Sequence, residues 1–553
     1  MKSSPTSIWK QSINAGLIAG GVAVLVSLVG LVESLADSYI IQGLFSLGEL
    51  ILFSPVIFLA YSFIKKDNSV SLKTRFGTTA VIGVASGLIL SLLVIIGSNF
   101  DIRQMFINAS PTLFDLLTRG VPLPLGGLVP PIVGILVAWA CLGIFLIPDR
   151  FRSPVVQGLL WVIILGTLRD QVLLIYIFQQ QPLSTILKSL VFAQSGLSII
   201  GTVVIFALVA GSTFYSNKRR GQQKVSPLRN KKHRIPLLIG LGVIIMALPY
   251  VLGLFFTEIL DTTGLFIMMG LGLNIVIGYA GLLDLGYVAF YAIGAYTMGV
   301  LTSSGLGLYS LTFWQALPLA LLAAWLAGFI LGLPVLRMRG DYLAIVTLGF
   351  GEIVRLLVLS DWLKSFLGGS QGIQSIAQPQ IGPLKFDTLQ ELYYLIVIGI
   401  VIVAFVAWRL KDSHLGRSWM AIREDEDVAQ AMGINLVFTK LMAFSTGALF
   451  AGLAGALGAA KLTSVYPHSM TFIISINVLV LIIIGGMGSI PGVFLGALVL
   501  IGLPGLLTEF QEYRLWFYGV ALVFMMLNRP EGLWPDVRRK RELHEDKPEL
   551  IAE

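Results

Sequence analysis

Long apolar runs separated by short polar segments recur along the whole chain of 553 residues. An apolar run of about 18 or more residues is long enough to cross a bilayer as a helix. The pattern predicts an all-α polytopic membrane protein with about 16 spans. Six of them fall in the first part of the chain, near 15–32, 39–64, 77–97, 128–148, 154–178 and 189–214. About ten fall in the second part, near 236–257, 262–279, 283–303, 313–334, 342–361, 391–408, 437–460, 472–487, 491–508 and 515–528.

Composition supports this class. Only 12% of residues are charged and 56% are hydrophobic, whereas soluble domains carry about 25% charged residues. The single cysteine, Cys141, excludes a disulfide within the chain. The first apolar run, preceded by Lys2 and Lys10, is similar to a signal peptide, but it is longer than a usual signal core and predicts an uncleaved span. Several runs in the second part are short, which predicts broken or re-entrant helices.

The net charge of +8 is concentrated in the polar segments. In a membrane protein such charges indicate orientation and contact with anionic lipid headgroups, so no nucleic-acid partner is predicted. The positive-inside rule predicts cytoplasmic termini, a cytoplasmic segment 409–440 and an external loop 362–390. Arg103 and Arg119, in the loop 98–127, count against this orientation.

The basic stretch 218–234 divides the chain. We expect a membrane extension at 1–217, a basic cytoplasmic linker at 218–235, a membrane domain at 236–530 and a charged cytoplasmic tail at 531–553. Two interpretations of the basic stretch stay open. It is either a lipid- or nucleotide-binding patch, or a linker whose charge fixes the topology.

The segment 409–440 is the most polar run in the second half of the chain. Small apolar residues at 421, 428, 429, 431 and 432 are spaced to form a stripe on a short helix, and Gly433 stands where that helix would end. A charged helix held between two membrane spans predicts a docking site for another protein that drives the membrane part.

Two glycine-rich stretches, 278–286 and 485–492, interrupt apolar runs that contain Asn274 and Asn477. Broken membrane helices expose backbone dipoles to a substrate, and paired interruptions are typical of an internal repeat that lines a pathway. Close helix packing through small residues is the alternative.

A few charged residues fall within the predicted spans, where charges tend to face a cavity or each other. Glu352 and Arg355 are three apart, so they share a helix face and can pair. Asp284 lies in the first glycine stretch, either inside the membrane or at its cytoplasmic interface. Glu49 is expected in the middle of 39–64 without an obvious partner, and the adjacent Arg169 and Asp170 are expected to pair with other spans.

The chain lacks the sequence motifs of common catalytic sites. It contains no Gly-x-x-x-x-Gly-Lys-[Ser/Thr] phosphate loop and no His-Glu-x-x-His metal motif. The sequence therefore predicts no enzyme activity, no metal and no cofactor on this chain.

Four stretches together resemble a known family: 272–286, 338–355, 416–435 and 485–496. From about 236 to 530 the chain resembles the LivM-type permeases of ATP-binding-cassette (ABC) importers for branched-chain amino acids and related substrates. The resemblance implies separate ATPase subunits that use ATP, a homologous LivH-like permease and an extracytoplasmic solute-binding protein. Asp427, Val428, Ala429 and Gly433 match the family's coupling motif. The implied ATPase-coupling helix comprises Gly416, Arg417, Arg423, Glu424, Asp425, Glu426, Asp427, Ala429 and Gly433.

The candidates for the substrate pathway come from the glycine stretches and the charged spans: Asn274, Gly278, Gly281, Asp284, Tyr287, Glu352, Arg355, Asn477, Gly485 and Gly488. Asp284 and Tyr287 depart from the family's Ser and His in the first glycine stretch, so substrate specificity can differ. Residues 1–217 lie outside the usual short permease, and a fused second permease half there has no second coupling motif.

Two other functions remain open on the sequence. The chain can be a stand-alone secondary transporter or channel for a small solute such as urea or an amide, with Glu352, Arg355 or Asp284 coupling ions. It can also be a membrane scaffold without transport activity. Only the importer permease needs the acidic helix and Gly433.

Overall fold

The computed structural model describes residues 5–535 except 67–71, 101, 105, 107, 168–190, 194–195, 221–230, 336–337, 339, 383, 507–512 and 530. The predicted all-α polytopic fold is confirmed. Within these ranges, ten helices are long and apolar enough to cross a membrane, and four shorter apolar helices accompany them. The chain divides into two compact units, Met1–Leu238 and Ile239–Glu553.

The first unit is a helical bundle with a small sheet. Its helices are α1 (Pro5–Leu28), α2 (Leu31–Ser34), α3 (Leu47–Lys66), α4 (Leu72–Asn99), α5 (Pro111–Thr118), α6 (Val129–Leu146), α7 (Asp149–Thr167) and α8 (Ile199–Arg220). Its strands are β1 (Tyr39–Ile41), β2 (Phe45–Ser46), β3 (Phe192–Ala193) and β4 (Gly196–Leu197). The sheet order is β2-β1-β4-β3, with β1 and β4 parallel and the other pairs antiparallel.

Small residues allow the helices of the first unit to pack closely. A Cβ added to Gly83 on α4 would lie 2.4 Å from the carbonyl oxygen of Gly134 on α6. A Cβ on Gly87 would lie 2.3 Å from Cα of Pro131. Backbones approach this closely only where side chains are absent, which is how membrane helices gain van der Waals contact without a hydrophobic driving force.

Two expectations for the first unit are corrected. The span 39–64 begins only at Leu47, because residues 39–46 form the β1–β2 hairpin. Glu49 therefore lies in the first turn of α3 rather than in mid-span, and its carboxylate pairs with Arg119 at 2.7 Å. Arg169, Asp170 and the side chains of the basic stretch 218–234 lie outside the described residues.

The second unit is also a helical bundle and, among the described residues, has more helices than the first. Its helices are α9 (Lys231–Leu273, which crosses the division), α10 (Val288–Thr302), α11 (Phe313–Val335), α12 (Asp341–Leu359), α13 (Lys364–Leu367), α14 (Leu389–Lys411), α15 (His414–Glu424), α16 (Glu426–Ala431), α17 (Leu436–Leu462), α18 (Phe472–Gly485), α19 (Ile490–Ala497), α20 (Leu503–Leu506) and α21 (Arg514–Asn528). π-Helical segments at Asn274–Tyr279 and Leu498–Gly502 follow α9 and α19. Strand β5 (Ile373–Gln374) pairs with β8 (Ser464–Val465), and β6 (Gln380–Ile381) with β7 (Leu384–Lys385).

Helix α17 forms the centre of the second unit. It is rich in alanine and glycine, and 78% of its most apolar stretch is buried, compared with 22% for α12. A Cβ on Gly455 would lie 2.1 Å from the carbonyl oxygen of Tyr291 on α10, and one on Gly452 would lie 2.3 Å from Cβ of Ala324 on α11. Small residues along α17 therefore set the spacing of the helices around it.

The start of the second unit differs from the predicted spans 236–257 and 262–279. The break lies at Gly253, whose φ of 81° and ψ of −179° are not helical. From Gly253 to Tyr279 the chain forms one apolar stretch of 27 residues. Only glycine adopts this backbone conformation without a steric penalty, so the local residue type fixed the position of the break.

Candidate functional site

The polar segment forms two helices, α15 and α16, rather than the single short helix that the pattern predicted. Asp425 separates them with an extended backbone, at φ −156° and ψ 115°. Its carboxylate accepts hydrogen bonds from the backbone N–H groups of Asp427 at 2.9 Å and Val428 at 3.0 Å. An aspartate in this position caps a helix start and offsets the helix dipole. The small apolar residues at 421, 428, 429, 431 and 432 are therefore divided between two helical segments and do not form one continuous apolar face.

Helix α15 is anchored to the bundle. Trp419 is fully buried, and its indole Nε1 donates to the carbonyl oxygen of Thr439 at 2.8 Å. A Cβ on Gly416 would lie 2.2 Å from the carbonyl oxygen of Leu410, so glycine is required where α15 turns back on the end of α14. Arg417 donates from Nη1 to the carbonyl oxygen of Asp412 at 3.0 Å. Trp419 and Gly416 thus hold α15 closely against α17 and α14.

Helix α16 is held by an ion pair. Lys440, near the start of α17, is 1% exposed, and its Nζ donates to the carboxylate of Glu426. An unpaired buried ammonium is costly, so breaking this pair from either side destabilises the segment. Ala429 is buried on the same side of α16. The family resemblance implied that Glu426 belongs to the coupling helix, but sequence reasoning did not identify Lys440 as its partner.

The opposite side of this segment is exposed. Val428 is 59% and Met432 is 80% exposed, although both are apolar. Glu424, Asp425 and Asp427 are exposed beside them. Gly433 ends the segment at φ +87° with open space around it, as predicted for a helix stop. We call Glu424, Asp425, Asp427, Val428, Met432 and Gly433 the α16 face. Exposed apolar side chains ringed by acidic ones are typical of a protein contact.

The two glycine stretches meet. The amide oxygen of Asn274 accepts a hydrogen bond from the backbone N–H of Gly488 at 2.8 Å. A Cβ on Gly278 would lie 2.7 Å from that same nitrogen. Gly488 has φ +80°, a conformation that favours glycine. We call Asn274, Gly278 and Gly488 the glycine junction. The sequence predicted two interruptions but not their contact.

Helix α15 reaches the glycine junction. Arg423 donates from Nη1 to the carbonyl oxygen of Gly278 at 2.8 Å. A Cβ on Gly281 would lie 2.6 Å from Cγ of Arg423. Lys411, at the end of α14, donates from Nζ to the carbonyl oxygen of Gly488 at 3.4 Å. The polar segment therefore contacts both glycine stretches. In the sequence these are separate candidate sites. Sequence reasoning missed Lys411 as a member of this cluster.

Asp284 and Tyr287 lie in the buried segment that follows the junction. One carboxylate oxygen of Asp284 accepts from the backbone N–H of Gly286 at 2.9 Å, and the other has no partner among the described residues. Tyr287 donates its hydroxyl to the carbonyl oxygen of Gly447 at 2.8 Å. A Cβ on Gly286 would lie 1.7 Å from the carbonyl oxygen of Thr347. This segment packs tightly between α12 and α17.

Glu352 and Arg355 pair as predicted. Nε of Arg355 lies 3.0 Å from each carboxylate oxygen of Glu352. The side chains are 45% and 28% exposed, and they lie beside the exposed Ile353 and Leu356 on α12. The ion pair thus faces outward from this chain on a largely apolar helix.

The remaining candidates, Asn477 and Gly485, both lie on α18. Gly485 packs against α19, where an added Cβ would lie 2.1 Å from the carbonyl oxygen of Gly492. Asn477 is 8% exposed, and it lines a cavity of about 200 Å³ with Glu258 and Thr262. In the described part of the chain, no group of three or more His, Cys, Asp or Glu side chains is arranged to hold a metal ion.

A helical membrane bundle that carries an anchored polar segment with an exposed α16 face defines a polytopic membrane protein. Residues 255–527 match the family model described as branched-chain amino acid transport system / permease component. The chain is 43% identical to the high-affinity branched-chain amino acid transport system permease protein LivM of Salmonella typhimurium over 329 residues, which cover 55% of this chain and 76% of that protein. LivM of Escherichia coli is 42% identical with the same coverage. The chain therefore belongs to the branched-chain amino acid transport permease family.

A more distant relative is the permease protein LivH of Salmonella typhimurium. It is 21% identical over 285 residues, which cover 48% of this chain and 90% of LivH. No solved structure matches the chain significantly.

Proposed function

We propose that the chain is the membrane permease subunit of an ABC importer and that a separate ATPase drives it by binding the α16 face. The observation that carries the proposal is the exposure of Val428 and Met432 among acidic side chains on a segment whose other side is anchored by Trp419 and Lys440. An exposed apolar patch of this kind marks a contact with another protein. Because the other side of the segment is anchored, movement of that protein can reach the bundle.

The path of that movement runs through α15. Closure of the ATPase dimer displaces the α16 face, and α15 moves with it through Asp425. Arg423 then pulls on the carbonyl oxygen of Gly278, and Lys411 on that of Gly488. Because the glycine junction ends two membrane helices, a shift there changes their tilt and alternates access to the pathway. ATP is bound and hydrolysed by the partner subunits.

The second proposed partner is a homologous LivH-like permease. The Glu352–Arg355 pair is exposed on α12 amid apolar side chains. Charged side chains within a membrane span rarely face lipid and instead line interfaces or water-filled cavities. We therefore assign this outward side of α12 to the contact with the second permease and to the pathway between the two subunits.

The proposed substrates are branched-chain or other hydrophobic and neutral amino acids, delivered by an extracytoplasmic solute-binding protein. The similarity to LivM supports this class, since LivM is described as a branched-chain amino acid transport permease. The proposed location is the cytoplasmic membrane of a bacterium, with both termini inside. The role of residues 1–217 as a membrane extension and of 218–235 as a linker belongs to the same proposal.

Reconstitution tests this function. In proteoliposomes that contain the chain, the second permease and the ATPase, we expect uptake of radiolabelled L-leucine that requires ATP on the ATPase side and the solute-binding protein on the other. Omission of either partner subunit stops uptake, and the purified chain alone hydrolyses no ATP. Uptake by the chain alone under an imposed proton or sodium gradient would instead establish the stand-alone secondary transporter.

A further inference from the structure

A small cavity in the second unit lies apart from the α16 face and the glycine junction. It has a volume of about 200 Å³ and is lined in part by Glu258, Thr262, Asn477 and Tyr518. This volume is below the range of about 300–1,000 Å³ that is usual for drug-sized ligands, so the cavity suits a small solute.

Asn477 supplies an acceptor that lacks a partner. Its side chain is more than nine-tenths buried, and its Oδ1 has no hydrogen-bond partner among the described residues. A buried amide oxygen without a donor costs free energy unless a ligand or water supplies one. The cavity wall therefore presents a site for a donor.

The charges around the cavity favour a cation. Glu258 lies at the wall, and its carboxylate accepts from Nζ of Lys461 at 2.9 Å. Lys461 also donates to the hydroxyl of Thr262 at 2.9 Å and is only 4% exposed on its side chain. Asp261, three residues after Glu258, is fully buried, and neither of its carboxylate oxygens has a hydrogen-bond partner among the described residues. Lys461 donates to Glu258 and Thr262, which leaves the oxygen atoms of Asp261 and Asn477 without a donor, so acceptors outnumber donors here.

The other part of the wall is apolar. Ile259, Phe266 and Ile501 line it. A ligand that combines a primary ammonium group with a short aliphatic chain satisfies both parts, because the ammonium donates to oxygen atoms while the aliphatic chain leaves water.

We propose that this cavity is a binding site for an aliphatic amino acid, with the α-ammonium group held by Glu258 and Asn477 and the side chain against Ile259, Phe266 and Ile501. The assignment rests on the proposed importer function and goes beyond it by placing a substrate site inside this subunit. Recognition of the ammonium group explains how the permease accepts several aliphatic side chains of different shape.

Competition binding tests the site. The assembled transporter in nanodiscs, without ATP or solute-binding protein, is titrated with radiolabelled L-leucine and with two analogues. Isoamylamine keeps the ammonium and lacks the carboxylate, whereas 4-methylpentanoate keeps the carboxylate and lacks the ammonium. We expect isoamylamine to displace L-leucine and 4-methylpentanoate to fail. Equal displacement by the two analogues, or displacement by 4-methylpentanoate alone, would overturn the proposal.

Two variants connect this binding to the cavity. Asn477→Leu removes the acceptor at similar size, and Glu258→Gln removes the charge; each is expected to weaken L-leucine binding about tenfold or more, which corresponds to about 1.4 kcal/mol. Thr297→Val, at the wall of a different and apolar cavity, is the control and should bind as the unaltered protein does. Size-exclusion profiles in detergent identify any variant that fails to fold, and the analogue series on the unaltered protein then decides the question.

The outcome separates this proposal from the importer function. If both cavity variants bind L-leucine normally while ATP-driven uptake by the unaltered protein persists, the importer stands and the cavity assignment is wrong. If the unaltered transporter takes up no amino acid with its ATPase present, the importer function itself fails.

Discussion

Reversal of charge at Asp427 or a bulky side chain at Gly433 is expected to abolish ATP-driven uptake while the protein stays folded in the membrane. Asp427→Lys places a cation in the middle of the acidic α16 face, where like or unmatched charges across an interface cost several kcal/mol. Gly433→Leu puts a side chain into the open space beside Met432 and strains a backbone at φ +87° by about 1–2 kcal/mol. We expect uptake to fall at least tenfold in each variant.

Matched controls separate docking from folding. Gly382→Leu makes the same substitution at a glycine with φ +59° and open space around it, in the turn between β6 and β7. Asp361→Lys reverses an exposed carboxylate at the end of α12. Both controls should retain uptake. Transport at the unaltered rate in Asp427→Lys and Gly433→Leu would show that the α16 face does not bind the ATPase subunit.

Loss of the Arg423 side chain is expected to uncouple hydrolysis from transport. Arg423→Ala removes the hydrogen bond to the carbonyl oxygen of Gly278, and a bond from a charged donor contributes about 1.5–3 kcal/mol. The α16 face remains available, so the assembled complex should still hydrolyse ATP. Uptake per ATP hydrolysed should fall about tenfold, because the movement of α15 no longer reaches the glycine junction.

Arg417→Ala is the control on the same helix. Arg417 also donates to a backbone carbonyl, but that of Asp412 at the start of the polar segment rather than the junction. We expect near-normal coupling in this variant. If Arg423→Ala transports as efficiently per ATP as Arg417→Ala does, the path through Gly278 is wrong and movement must reach the bundle through another contact.

Sequence patterns predicted the features that depend on local chemistry. Apolar runs located most of the spans, the i, i+3 spacing paired Glu352 with Arg355, and a glycine marked the end of the helix at Gly433. Each of these depends on residues within one or two helical turns of each other.

The features that the sequence missed depend on distant residues. Asn274 and Gly488 are 214 residues apart, and Arg423 and Gly278 are 145 apart, so no local pattern could bring them together. In the sequence, Lys440 cannot be distinguished from a surface lysine. Only the structure shows that it is buried and that it pairs with Glu426. Residues 39–46 are largely apolar, so the sequence pattern predicts that they belong to a span, whereas in the structure they form a hairpin.

Photo-cross-linking from the α16 face tests the central claim most directly. A photoreactive amino acid replaces Met432, which is 80% exposed, or Trp362, which is 82% exposed in the short helical turn after α12. In the assembled transporter we predict that irradiation joins the ATPase subunit to the chain from position 432 and not from position 362. An ATPase adduct that forms only from position 362, or none from position 432 in a complex that still imports its substrate, would contradict the account.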